Sequence, residues 1–135
     1  DLLIAEAALA GGRVDRAAEA VAVVEALPPG DTGPLIRAQA SRFRAVIAAA
    51  EDDAQRAEAS FKTAVAAFRE YGTPFLLACT QLEQAAWLAS QGRQGEVEPM
   101  LTEARETFER LRATPWIERA NALAGTLPEL ERASV

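Results

Sequence analysis

The chain has 135 residues, 50% of them hydrophobic and 25% charged, which is enough for one folded domain with its own core. Its 20 acidic and 14 basic residues give a net charge of −6, the wrong sign for a protein that binds nucleic-acid phosphates. Histidine is absent and Cys79 is the only cysteine, which excludes Ser-His-Asp and Cys-His catalysis, histidine metal sites, zinc clusters and internal disulfides.

Helical periodicity accounts for nearly the whole chain. Alanine, leucine, glutamate and arginine dominate, and the β-branched and aromatic runs typical of strands are absent, so we predict an all-α fold. In Thr73-Pro74 and Thr114-Pro115 we expect a threonine N-cap followed by proline at the first helical position. Glycine, proline and acidic breaks divide the chain into seven predicted helices, at about 2–11, 14–27, 34–50, 53–71, 74–91, 94–112 and 115–126.

The sequence also repeats about every 40 residues. Pro34, Pro74 and Pro115 are 40 and 41 residues apart, and each precedes a large apolar residue. Such a period indicates stacked helical hairpins, because one hairpin cannot bury its own apolar face. We therefore predict an α-solenoid of antiparallel hairpins in a single domain over 1–135. Its expected parts are units at about 1–33, 34–73 and 74–114 and a terminal helix at 115–127.

The turns and second helices of the three units agree in the same register. Each turn residue is followed by a small, a large and a small apolar residue at fixed spacing. The sets are Gly12, Asp52 and Gly92, then Ala17, Ala57 and Val97, then Val21, Phe61 and Leu101, then Val24, Ala64 and Ala104. This pattern resembles a tetratricopeptide repeat, in which small residues let two helix backbones approach closely. The second helices are longer than in the usual 34-residue repeat, and the aromatic signature positions of the first helices hold small or polar residues.

The stretch from Phe68 to Ala120 resembles the C-terminal helical repeats of large bacterial signalling ATPases. Its strings are FREYGTPF at 68–75, EQAAWLASQGR at 83–93 and EARETFERLRATPWIERA at 103–120. In that family the effector is a LuxR-type DNA-binding domain, as in MalT-like regulators, or a class III adenylate or guanylate cyclase. The resemblance implies a non-catalytic scaffold in a cytoplasmic bacterial signalling or transcription regulator. The chain begins inside a helical pattern, so we expect it to be a piece of a longer protein.

A tetratricopeptide-like array implies that the first helices line a concave, partner-binding side. The outward positions of the second and third units are Gln39, Arg42, Val46, Cys79, Leu82 and Ala86. Trp87 is a further candidate for partner contact. This predicted face is mostly small and apolar, so we expect it to hold a helix or an adjoining domain rather than a charged tail. We also expect self-association through the exposed ends of the array, and no membrane or direct nucleic-acid contact.

Two alternatives stay open at this stage. In the first, a groove near Val46, Leu82 and Trp87 binds an apolar or sugar-like effector and the domain is a sensor. In the second, the chain is an enzyme acting through carboxylates and arginines alone, although no two acids are placed in one groove with opposed environments. The main prediction is that the protein is not an enzyme.

Other candidate motifs favour structural roles. A calcium loop needs ligands at alternating positions over about twelve residues, whereas Glu51-Asp52-Asp53 lies in one tight turn, so we interpret it as a helix start. The glycines of Gly11-Gly12-Arg13 and Gly92-Arg93 lack the strand, lysine and hydroxyl of a phosphate loop. Cys79 has no basic neighbour in sequence and is interpreted as an apolar filler. We predict no metal and no cofactor.

Overall fold

The computed structural model describes the backbone of residues 2–133 and the side chains of residues 2–28 and 30–128. Within these residues the protein has seven α-helices and no strand, which confirms the all-α prediction. A short 3₁₀ helix, Pro29–Asp31, lies between α2 and α3. The helices are α1 (Leu2–Ala10), α2 (Val14–Glu25), α3 (Pro34–Ala50), α4 (Ala54–Tyr71), α5 (Pro74–Ser90), α6 (Gln94–Leu111) and α7 (Thr114–Ala133).

The last helix is longer than the sequence predicts. The first six helices begin and end within two residues of their predicted bounds, whereas α7 continues to Ala133 instead of ending near 126. Gly125 and Pro128 both lie inside α7. A helical glycine costs about 1 kcal/mol relative to alanine, and a proline removes one backbone donor, but neither has to end a helix that packs well elsewhere.

Asp53 begins α4 as a true N-cap. Its carboxylate accepts a hydrogen bond from the backbone N–H of Arg56 at 3.2 Å. This bond satisfies one of the free donors of the first helical turn. The acidic turn therefore has the helix-start role that the sequence predicts.

The two predicted threonine caps are not formed. Thr73 stands before Pro74 at the start of α5, but its side chain makes no capping hydrogen bond. Thr114 already belongs to α7, and the backbone carbonyl of Ala113 accepts the first two N–H bonds of that helix at 3.0 Å. The prediction that the threonine hydroxyls cap these helices was wrong. The prediction that proline occupies the first helical turn was right, because the fixed φ of proline suits that position.

The turns repeat in their backbone conformation as well as in sequence. Gly12, Asp52 and Gly92, spaced 40 residues apart, have φ angles of 74°, 58° and 75° in the turns inside the three hairpins. Gly72 and Arg112, also 40 residues apart, follow α4 and α6 with φ angles of 74° and 55°. The left-handed region suits glycine and is unfavourable for arginine. The 40-residue period is therefore present in the main chain even where the residue type changes.

The helices group into two compact units, Asp1–Gly72 and Thr73–Val135. In the first unit α1 packs on α2 and α3 packs on α4, as the predicted hairpins, and α3 also contacts α1 and α2. In the second unit α5 packs on α6, and α7 packs against both. In each unit the first and third helices are therefore also in contact, α1 with α3 and α5 with α7.

The positions that repeat in sequence form the cores of these units. The small-large-small set of the second helices is buried throughout, at Ala17, Ala57, Val97, Val21, Phe61, Leu101, Val24, Ala64 and Ala104. Phe68 and Phe108, which also share a repeat position, are fully buried. The register inferred from the sequence is therefore the register of the cores.

Helix α5 is buried on more than one face. Its buried residues include three polar ones, Thr80, Gln81 and Gln84. The Thr80 hydroxyl donates to the backbone carbonyl of Leu76 at 2.7 Å. The Gln81 amide nitrogen donates to the carboxylate of Glu103 on α6, while its Oε1 has no hydrogen-bond partner among the described residues. Ala86 of the same helix is exposed, so the burial of α5 is extensive but not complete.

Candidate functional site

Three of the predicted contact residues lie on α3 in the first unit. Gln39 and Val46 are half-buried, and Arg42 is 6% exposed. The Arg42 guanidinium donates to Oε1 of Gln39 at 3.2 Å and lies 5.3 Å from the ring centroid of Phe43. Arg42 therefore contributes to packing around α3, and the sequence pattern had placed it on an open face.

The other four predicted contact residues lie on α5 in the second unit. Cys79, Leu82 and Trp87 are buried, and Ala86 is exposed. The guanidinium of Arg93, in the turn after α5, lies 5.7 Å from the ring centroid of Trp87. Burial of Cys79 agrees with its interpretation as an apolar filler. The role of all seven residues in partner contact stays a prediction.

The first unit has an open apolar groove of about 370 Å³. It lies where the N-terminal ends of α1 and α3 approach the C-terminal end of α2. Its apolar lining consists of Leu2, Leu3, Val24, Leu27, Ile36 and Phe43. Val24 and Phe43 belong to the buried core of the unit, so the floor of the groove is continuous with that core.

The connection between α2 and α3 explains why the groove is open. Residues 26–33 separate these helices, whereas residues 112 and 113 alone separate α6 from α7. The segment is shaped by Pro28, whose carbonyl accepts the N–H of Asp31 at 2.9 Å, and it ends at Pro34, the first residue of α3. The longer connection leaves Leu27 and Ile36 at the rim, 44% and 45% exposed. Leu3 on α1 is 73% exposed.

The polar lining of the groove is acidic. It consists of Glu6, Asp31, Thr32 and Gln39, and no lysine or arginine is among the lining residues. Glu6 and Asp31 are both exposed, and neither has an ion-pair partner among the side chains that the structure describes. The carboxylates are therefore available to a binding partner.

A third carboxylate close to the groove is already paired. Glu25, at the end of α2, receives two hydrogen bonds from the Arg44 guanidinium, at 2.7 and 3.4 Å. This bidentate geometry joins α2 to α3. Glu25 is next in sequence to the lining residue Val24, so one carboxylate beside the groove is already neutralised by an arginine.

The described residues around the groove hold no metal-binding cluster. In the described part of the chain, no group of three or more histidine, cysteine, aspartate or glutamate side chains is placed to hold a metal ion. None of the described helices has a stretch long and apolar enough to cross a membrane. Comparisons with protein-family models, curated proteins and solved structures returned no match. The functional argument therefore depends on the groove itself.

Sequence reasoning identified only Gln39 among the groove residues. A signal for two others, Leu2 and Leu3, was present, because they and Ile4 are three consecutive large apolar residues at a helix start. Consecutive residues point in different directions around a helix, so one core face cannot bury all three. Leu3 and Ile4 are indeed 73% and 55% exposed.

Proposed function

We propose that this chain is a non-catalytic helical-repeat scaffold that binds a helix of another protein or domain. The observation that carries the proposal is the groove of the first unit, in which Leu3, Leu27 and Ile36 stay between 44% and 73% exposed. Soluble proteins seldom expose contiguous apolar surface without a use, and such surface is typical of interaction sites. An amphipathic helix placed in a groove is a common way to cover it.

The openness of the groove favours a helix over a small molecule. Sites for small ligands enclose most of the ligand surface, commonly about 70–90% of it. Here the rim residues Leu3 and Ile36 are 73% and 45% exposed to solvent, so a small ligand would stay exposed on one side. A helix brings its own polar face to that side. The sensor alternative placed near Val46, Leu82 and Trp87 has less support, because Leu82 and Trp87 are buried.

We further propose that the hairpins are part of a tetratricopeptide-like α-solenoid in a cytoplasmic bacterial signalling or transcription regulator. Support comes from the 40-residue period of sequence and backbone and from the resemblance over Phe68–Ala120. In that setting the bound helix belongs to a partner protein or to another domain of the same regulator. The exposure of Leu3 and Ile4 on α1, 73% and 55%, also supports self-association.

A matched pair of substitutions tests the binding function. Ile36→Glu places a charge in the groove, and Leu111→Glu places the same charge at a residue of similar exposure in the second unit, 44% against 45%. Both variants should keep their helical circular dichroism, because both sites are on the surface. With the full chain as bait in lysate of its own host, a partner should be retained by the wild type and by Leu111→Glu and lost with Ile36→Glu. Equal retention by all three would contradict the proposal.

A further inference from the structure

We infer that the groove of the first unit selects an amphipathic helix whose apolar face is flanked by lysine or arginine. This inference rests on the proposed function and adds the chemistry of the partner. The groove offers apolar side chains at its floor and two carboxylates, Glu6 and Asp31, at its polar edge. A partner with basic residues beside its apolar face complements both.

The two charged residues that line the groove, Glu6 and Asp31, are both acidic. Glu6 and Asp31 are exposed, and the lining residues include no cation. Arg42 contacts the lining residues Gln39 and Phe43, but it is 6% exposed and so lies behind them. Arg37 is exposed and lines an adjoining pocket that shares Val24, Leu27 and Thr32 with the groove, but it does not line the groove itself. The charged lining that an incoming helix contacts therefore consists of the two carboxylates.

Electrostatic complementarity adds selectivity to apolar burial. Like charges placed together at an interface are unfavourable, so a helix with acidic flanks is disfavoured twice, by Glu6 and by Asp31. The overall charge of −6 acts in the same direction over longer distances. A second copy of this acidic chain is for the same reason a poorer occupant than a basic helix.

Two synthetic peptides of about 18 residues, or roughly five helical turns, provide the probe. Both have capped ends and the same leucines at i, i+3, i+4 and i+7. One carries lysine at the flanking positions and the other carries glutamate. Titration of the full chain by fluorescence anisotropy, with a dye on the peptide, gives the two dissociation constants. We expect the lysine peptide to bind more tightly, and its affinity to fall between about 0.05 M and 0.5 M salt.

A matched pair of charge variants separates the groove from the general charge of the protein. Glu6→Gln/Asp31→Asn removes the groove carboxylates, and Glu106→Gln/Glu109→Gln removes two exposed carboxylates of α6 with the same change in net charge. The first variant should weaken binding of the lysine peptide about fivefold, as expected for two exposed charge pairs, and the second should leave it unchanged.

Each other outcome overturns the inference in a distinguishable way. If both peptides bind equally, the groove binds helices without selecting charge, and the proposed function stands alone. The same holds if the two charge variants weaken binding to the same extent. If neither peptide binds, the groove is not a helix site and the proposed function fails too. If sedimentation shows a dimer that Ile36→Glu dissociates, the occupant of the groove is a second copy.

Discussion

The rings of Phe108 and Trp116 stack in the second unit, with centroids 5.5 Å apart and planes 23° apart. Phe75 meets both rings edge-on, at 6.2 and 5.9 Å. These three residues belong to α6, α7 and α5, so one aromatic cluster joins all three helices of the unit. The Arg119 guanidinium lies 4.1 Å from the centroid of Trp116 and covers its outer side.

Removal of the buried member of this cluster should damage the second unit most. Phe108 is fully buried, and Phe108→Ala should lower the free energy of unfolding by about 3–5 kcal/mol. Phe75→Ala should cost about 1 kcal/mol, because Phe75 is 39% exposed. Both tryptophans, Trp87 and Trp116, lie in this unit, so urea unfolding followed by their fluorescence measures the effect. Equal losses would mean that the cluster is not centred on Phe108.

The left-handed turn after α6 offers a stabilising substitution. Arg112 has a φ of 55°, and the equivalent position after α4 is Gly72. Arg112→Gly should raise the free energy of unfolding by about 0.5–1 kcal/mol, since glycine adopts this conformation without the strain of a side chain. Gly72→Ala should lower it by about 1 kcal/mol. Urea denaturation of both variants gives the comparison, and a destabilised Arg112→Gly would contradict the strain argument.

The cap of α4 should be sensitive to loss of its acceptor. Asp53→Ala removes the hydrogen bond to the Arg56 N–H and should cost about 1 kcal/mol in thermal or urea unfolding. Asp53→Asn keeps a side-chain oxygen at the cap and should stay within about 0.5 kcal/mol of the wild type. If asparagine were as damaging as alanine, the charge of Asp53 rather than its capping bond would be the stabilising feature.

The polar contact between α5 and α6 should not accept a second negative charge. Gln81 is buried and donates to Glu103, so Gln81→Glu brings two carboxylates together in the interior. We expect a loss of about 2 kcal/mol or more at neutral pH. Gln91→Glu, at an exposed position just after α5, should change stability by less than about 0.5 kcal/mol. A fully stable Gln81→Glu would show that water reaches this contact.

Much of the fold could be predicted from the sequence because it depends on local signals. The 40-residue period placed the turns at Gly12, Asp52 and Gly92, and the small-large-small pattern identified core positions such as Phe61 and Leu101. Turn conformation and apolar periodicity are encoded in residues close together in the chain. The end of α7 could not be predicted in this way, since Gly125 and Pro128 are breakers only when packing does not support the helix.

The position of the groove could not be predicted because it depends on how three consecutive helices, α1, α2 and α3, pack together. The resemblance to a tetratricopeptide repeat predicted partner contacts at outward positions of α3 and α5. Three of these residues, Arg42, Cys79 and Leu82, are buried in the structure. Leu27 and Ile36 form a rim only because of the path that residues 26–33 take between α2 and α3. That path is set by the three-dimensional arrangement of the first unit and has no periodic signal.

Photo-crosslinking from inside the groove gives the sharpest test of its role. A benzoylphenylalanine replaces Ile36 in one variant and Leu111 in a second, and both are irradiated in cells of the native host. We predict an adduct with a specific polypeptide from position 36 and none from position 111. If position 36 yields no adduct, or if both positions yield the same one, the groove is not where this protein binds its partner.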